Sequence, residues 1–223
     1  NQSLFKKLSY DPNSLAPISV LSQIPNVIAV RADLPANTVQ ELIDYARKNP
    51  GKVSYGSQGN GSTSHLTAEM FNNMADVKLV HIPYRGEGPA LIDMVGGRVD
   101  AFFGNISAVL KFREDKKVKF LGVASTNRTP SASDVPTVSE AGLPDFNASA
   151  WFALAAPGGT PKAVIDKISH DAREALKLPK VQEIIKAQGG EAVGNSPEEM
   201  AAFLDSERKR WATVIEKAGV TVD

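Results

Sequence analysis

Val53-Ser54-Tyr55-Gly56-Ser57-Gln58-Gly59-Asn60-Gly61-Ser62-Thr63-Ser64-His65, followed by Leu66-Thr67-Ala68-Glu69-Met70-Phe71, reads as strand, glycine-rich loop and helix in succession. Glycines at 56, 59 and 61 remove the Cβ atoms that would keep a ligand from the backbone, and serine and threonine hydroxyls add donors. The following helix aims its unpaired N–H groups at the same place, so the stretch predicts a cradle for a small anion such as a carboxylate. The competing reading is a flexible strand-to-helix turn that needs glycine only for its backbone. No Lys follows Gly61, and Gly59-Asn60-Gly61 lacks the third glycine of a dinucleotide fingerprint, so phosphate cofactors are not expected.

The same alternation extends on both sides. Thr38 caps a helix with apolar positions Val39, Leu42, Ile43 and Ala46, stopped by Asn49-Pro50-Gly51. After the loop come helix 66–74, strand 78–82, helix 88–95, strand 99–103, helix 106–112 and strand 118–124. Such alternation with short loops predicts a mostly parallel sheet covered by helices on both faces. Before it, the apolar stretch 15–30, interrupted by Pro17 and Pro25-Asn26, reads as an extended segment crossing between lobes, with a hinge where it changes direction. After Ser125 a polar, Pro-containing stretch leads to a second extended segment, 150–156, expected to cross back. The tail reads as helices 161–178 and 181–188, with a capping box at Ser196-Pro197-Glu198-Glu199 opening the last helix. Short strands are expected near 191–193 and at the end. The chain divides as residues 1–30 plus 150–223 in a first lobe and 31–149 in a second, with a cleft between them.

The 223 residues can bury a full core, and 25 basic against 25 acidic side chains leave no net field to attract nucleic acid or an anionic membrane. There is no cysteine, so disulfides, thiolate catalysis and cysteine zinc sites are excluded. The histidines at 65, 81 and 170 follow no metal-ligand spacing, and no apolar run is long enough to span a membrane. No metal, cofactor or direct membrane insertion is expected.

Ligands of open α/β sheets bind beyond the carboxyl ends of the strands, which makes Ser57, Gly59, Gly61, Ser62, Thr63 and His65 the first candidates. His65 either donates to a carboxylate or helps cap the turn. Gly104-Asn105, at another strand end, face the same rim, although Asn105 can equally cap the helix at 106. Arg85 could clamp a carboxylate or be solvated, His81 reads as a satisfied strand residue, and Trp151 on the return crossing as cleft wall or core. Ser57 or Ser62 with His65 lacks an orienting group, a GxSxG elbow and an SxxK motif, which speaks against hydrolysis.

The strings NQSLFKKLSYD (1–11), Ile24-Pro25-Asn26-Val27, 57–65, HIPYRG (81–86), DVPTVSEAGLP (134–144) and Trp151-Phe152 through Ala155-Ala156-Pro157 together resemble the Bug family, the extracytoplasmic solute receptors of tripartite tricarboxylate transporters. The resemblance covers essentially the whole chain. It implies a type II periplasmic-binding-protein-like fold, with two α/β lobes joined by two crossing strands. The implied activity is capture of a small carboxylate in the periplasm for a membrane permease. Its binding elements map onto 57–65, Pro25-Asn26, Gly104-Asn105 and Trp151. Many members carry an acidic residue where Gly104 stands, so its absence favours a plain carboxylic acid over an amino acid. The family's opening strand and first glycine-rich loop have no counterpart before Asn1. The first lobe is therefore expected to be incomplete, its apolar surface exposed, and the chain a partial product that binds weakly alone. The alternatives are the effector-binding domain of a regulator, which would be expected to bring a basic helix-turn-helix, and an enzyme acting on a small organic acid.

Overall fold

The computed structural model describes residues 2–222. Its organising element is one long strand, β1 (Ala16–Arg31), shared by two sets of partners. The first part of β1 pairs antiparallel with β6 (Ser149–Ala156) and touches β7 (Glu191–Ala192) at Ser22 and Gln23. The second part, Asn26–Arg31, pairs antiparallel with β4 (Ala101–Asn105) on one side and β5 (Val118–Ala124) on the other. Beyond β4 lie β2 (Ser54–Ser57) and β3 (Val80–Pro83), parallel to one another and to β4, giving the order β3-β2-β4-β1-β5.

This modifies two expectations. The sheet is not mostly parallel in its pairings, because β1 arrives from the other sheet and runs against both neighbours. Residues 26–30, grouped by the sequence with the first lobe, belong by pairing to the sheet of the central block, and partners change at Pro25/Asn26. Nor does Pro25 break the strand. It is the last residue in register with β6, opposite Ser149, where a missing donor costs least, and the Asn26 N–H is taken up by Ala148 O at 3.0 Å.

Side-chain alternation along β1 explains its apolar run. Ile28 and Val30 enter a core with Leu42, Ile43, Tyr55, Phe71 and Phe103, while Val27 and Ala29 enter another with Leu91, Met94, Phe102, Ile106 and Val109. The first core lies under α1 (Val39–Lys48) and α2 (Thr63–Ala75), the second under α3 (Glu87–Val95) and α4 (Ile106–Glu114). Thr38 caps α1 by accepting the Glu41 N–H, as its position before the apolar periodicity predicts. The polar stretch after β5 has one short 3-10 turn, Pro130–Ala132, yet is pinned by buried Val135, Val138, Leu143 and Phe146.

The tail forms α5 (Lys162–Leu176), α6 (Pro179–Ala187) and α7 (Pro197–Ala218), the last opened by a complete capping box between Ser196 and Glu199. Helix α7 packs on both β1 and α2, so it bridges the two sheets. Its Ile215 forms a small core with Leu66 and Leu4, and Val222 pairs with Phe5 as the terminal strand reduced to a single bridge. Around β6, α5 and α6, Phe152, Leu154, Val164, Ile168, Leu178 and Ile184 face solvent.

Candidate functional site

The parallel strands β2, β3 and β4 end side by side, and the loop from Ser57 to Ser62 follows β2 into the first turn of α2. Glycine is required at two loop positions: Gly59 and Gly61 have φ of 130° and 71°, in the region that disfavours side chains. A Cβ on Gly61 would also lie 2.9 Å from Val222 and 3.3 Å from Leu4, so the paired terminal segments back the loop from outside.

The loop is bonded to itself. Ser57 Oγ accepts the Gly59 N–H at 3.1 Å and Ser64 Oγ accepts that of Gln58 at 2.9 Å. Ser62 Oγ donates to Gly59 O at 2.6 Å and, as N-cap of α2, accepts the His65 N–H at 3.4 Å. His65 Nδ1 accepts the Gly61 N–H at 3.0 Å, so the neutral ring carries its proton on Nε2, which lies 4.0 Å from Glu69. The amides of Gly59 and Gly61 and the hydroxyls of Ser57 and Ser62, expected to meet a ligand, are thus spent on holding the loop. Ser57 is also fully buried. Among the described residues no hydrogen bond engages the backbone N–H groups of Asn60, Thr63 and Ser64 or the Thr63 hydroxyl, and these donors are open to an anion. Thr63 and Ser64 open α2, where the helix dipole adds its positive end. The resemblance implied the whole loop 57–65, but Asn60 and Ser64 were not singled out in it, since only the bonding pattern separates free amides from used ones.

Asn26 joins this site from β1. Its Nδ2 donates 2.7 Å to Thr67 Oγ1, which in turn donates 2.7 Å to Thr63 O, tying the strand to the first turn of α2. Asn105 is its register partner on β4 and stands at the N-cap of α4, but its side chain makes no capping bond. Pro25 precedes Asn26 at the change of partners. Gly104 has a steric reason: a Cβ there would fall 2.3 Å from the ring of Phe102, which is fully buried. Trp151 is not brought to the loop. Its indole N–H donates 3.2 Å to Glu207 on α7 and its ring meets Phe203 edge-on, within a groove that also includes Leu15, Pro17 and Leu204. Arg85 is exposed.

His81, read from the sequence as a satisfied strand residue, lies beneath the loop. Its ring stacks on His65 with centroids 3.8 Å apart and on Tyr55 at 4.9 Å, and its Nε2 is 2.6 Å from Ser57 Oγ. Burial and the neighbouring His65 push its pKa down to about 4, and burial lowers that of His65 against the pull of Glu69. Tyr55, donating 2.6 Å to Glu69, is raised far above its ordinary value by burial and that bond. At neutral pH this is a stack of uncharged rings. Among the described residues no cluster of His, Cys, Asp or Glu could hold a metal, and no helix is long and apolar enough to cross a membrane.

Comparison with known proteins agrees with this architecture. Residues 2–220 match the family model described as tripartite tricarboxylate transporter family receptor. A Pseudomonas sp. (strain P51) protein, the UPF0065 protein in the tcbD-tcbE intergenic region, is 37% identical over 200 residues, covering 89% of this chain and 60% of that protein. This chain therefore spans about three-fifths of that relative's length. An R. palustris protein solved with adipate superposes with a TM-score of 0.87 at 32% identity, covering 98% of this chain and 74% of that one. MatC from Rhodopseudomonas palustris, solved with bound malate, superposes with a TM-score of 0.83 at 30% identity, over 96% and 74% of the two chains. With the family model matched over nearly its whole length, the chain belongs to the tripartite tricarboxylate transporter receptor family.

Proposed function

We propose that this chain forms the ligand-binding face of a periplasmic receptor that captures a small di- or tricarboxylic acid for the membrane permease of a tripartite tricarboxylate transporter. The observation that carries the reading is the set of unengaged amides at Asn60, Thr63 and Ser64 on a loop whose glycine amides and Ser57 and Ser62 hydroxyls are internally bonded. Fixed neutral donors suit a carboxylate, because they are paid for in the folded state and need not reorganise on binding. The adipate and malate bound to two structural relatives support an acid of four to six carbons. With Phe102 filling the space beside Gly104, the rim offers no carboxylate there to pair with an ammonium group, which favours an organic acid over an amino acid. Binding without turnover fits the buried Ser57 and the loop-bound Ser62.

The test is calorimetry and thermal shift on the full-length receptor with malate, adipate, citrate and aspartate, alongside Thr63→Pro. Thr63 is the first residue of α2 and Ser62 before it is extended (φ −67°, ψ 163°), so proline is tolerated there and deletes one free amide. A charge-assisted bond is worth about 1.5–3 kcal/mol, so affinity for the preferred acid should fall roughly 10- to 150-fold with α2 intact. Absence of binding by any of the acids, or unchanged affinity in the proline variant, overturns the reading.

A further inference from the structure

We propose that His81 is a positioning residue of the ligand loop, acting through Ser57 to hold the first half of the loop in the shape that leaves the Asn60, Thr63 and Ser64 amides free. This rests on the carboxylate-binding reading and adds a residue to it. The geometry is specific. His81 Nε2 lies 2.6 Å from Ser57 Oγ, whereas the other acceptor open to that hydroxyl, Gly59 O, is 3.2 Å away. The 2.6 Å bond holds the Ser57 oxygen in place in either His81 tautomer, with a lone pair turned to the Gly59 N–H at 3.1 Å. Gly59 sits at φ 130°, so its amide needs a fixed partner to hold that orientation. Ser57 is itself fully buried, and without His81 its hydroxyl rotates to Gly59 O and no longer has a fixed direction.

The second half of the loop has a matching support. His65 Nδ1 holds the Gly61 amide, and the two imidazoles are stacked nearly parallel, 11° apart, at 3.8 Å. One ring therefore sets Ser57 and Gly59, the other sets Gly61, and their contact fixes the two halves relative to each other. The parallel register of Tyr55 with His81 places this histidine across the strand pair, two residues before Ser57.

Amide hydrogen exchange by NMR on the full chain tests this without a ligand, comparing the natural sequence with His81→Phe, His81→Gln and Ser57→Ala. Phenylalanine keeps a stacking ring without the nitrogen, whereas the glutamine amide oxygen can accept from Ser57. Exchange at Gly59 should accelerate at least tenfold in His81→Phe and in Ser57→Ala, no further in the double variant, and return close to the natural rate in His81→Gln. Core amides such as Val30 and Phe103 should keep their protection. In parallel, malate and adipate affinities should fall about 5- to 30-fold in His81→Phe. Unchanged Gly59 exchange in His81→Phe, acceleration spread evenly over the chain, or additive effects of the two single variants would overturn the proposal. Loosening of Gly59 in a protein that binds neither acid would uphold the positioning role and refute the carboxylate reading.

Discussion

Gly104→Ala should destabilise the protein by more than its single methyl suggests. The new Cβ would stand 2.3 to 2.4 Å from Phe102 Cε1 and Cζ, so the ring has to withdraw by about 1 Å to reach ordinary contact. Phe102 cannot do so freely, because it has no exposed surface and is packed with Val27, Ala29, Leu91 and Ile106. Gly104 has no left-handed φ, so backbone strain adds nothing and the cost is overpacking, about 1–3 kcal/mol at a well-filled site. Phe102→Leu alone should cost a similar amount through the space it opens. Combined, the two should compensate, falling short of the sum of the single effects by about 1 kcal/mol or more, since added methyl and removed ring edge occupy the same volume. Urea denaturation of the four proteins measures this from midpoint and slope. A loss below about 0.5 kcal/mol in Gly104→Ala, or strict additivity in the double variant, would refute the steric account of this glycine. The same account predicts that Gly104→Asp alone unfolds the rim rather than conferring amino-acid binding.

Further outcomes follow from charge and protonation. Because His81 titrates at about 4 in the folded protein and near 6.5 when unfolded, its contribution is complete above pH 6.5 and is lost as pH falls towards 4. The natural chain should therefore lose stability relative to His81→Gln between pH 7 and pH 4.5, and a constant difference would contradict it. Glu207 accepts from the indoles of Trp151 and Trp211, at 3.2 and 3.0 Å, and pairs with Arg210. Glu207→Ala leaves these donors without it and should cost about 3–5 kcal/mol by chemical denaturation, with Glu207→Gln recovering part of that loss. Ser196→Ala removes half of the capping box on α7 and should lower stability by about 1 kcal/mol in the same assay.

Much of the architecture was legible because it is local. Thr38, the apolar spacing at 39, 42, 43 and 46, and the Ser196 box each announce a helix within a few residues. The glycine loop was likewise visible as a strand-to-helix transition. What the sequence concealed depends on contacts between distant segments. Nothing local shows that Asn26–Arg31 pairs with β4 and β5, since a β-branched run suits either sheet equally well. The engagement of Gly59, Gly61, Ser57 and Ser62 in bonds within the loop, and the arrival of His81 under it, required the register of β2 with β3. Trp151 illustrates the same limit: an aromatic on the crossing read as cleft wall or core, and nothing local shows that a buried carboxylate 56 positions later takes its N–H.

The continuity of β1 has a mechanical consequence. A strand hydrogen-bonded to β6 at one end and to β4 and β5 at the other behaves as a torsion bar, stiff to stretching and able to yield by twist where its partners change. That weakest section is Pro25-Asn26, and Asn26 grips the first turn of α2 through Thr67. Twist at that section would be passed through Asn26 and Thr67 to the helix end whose Thr63 and Ser64 amides are unengaged.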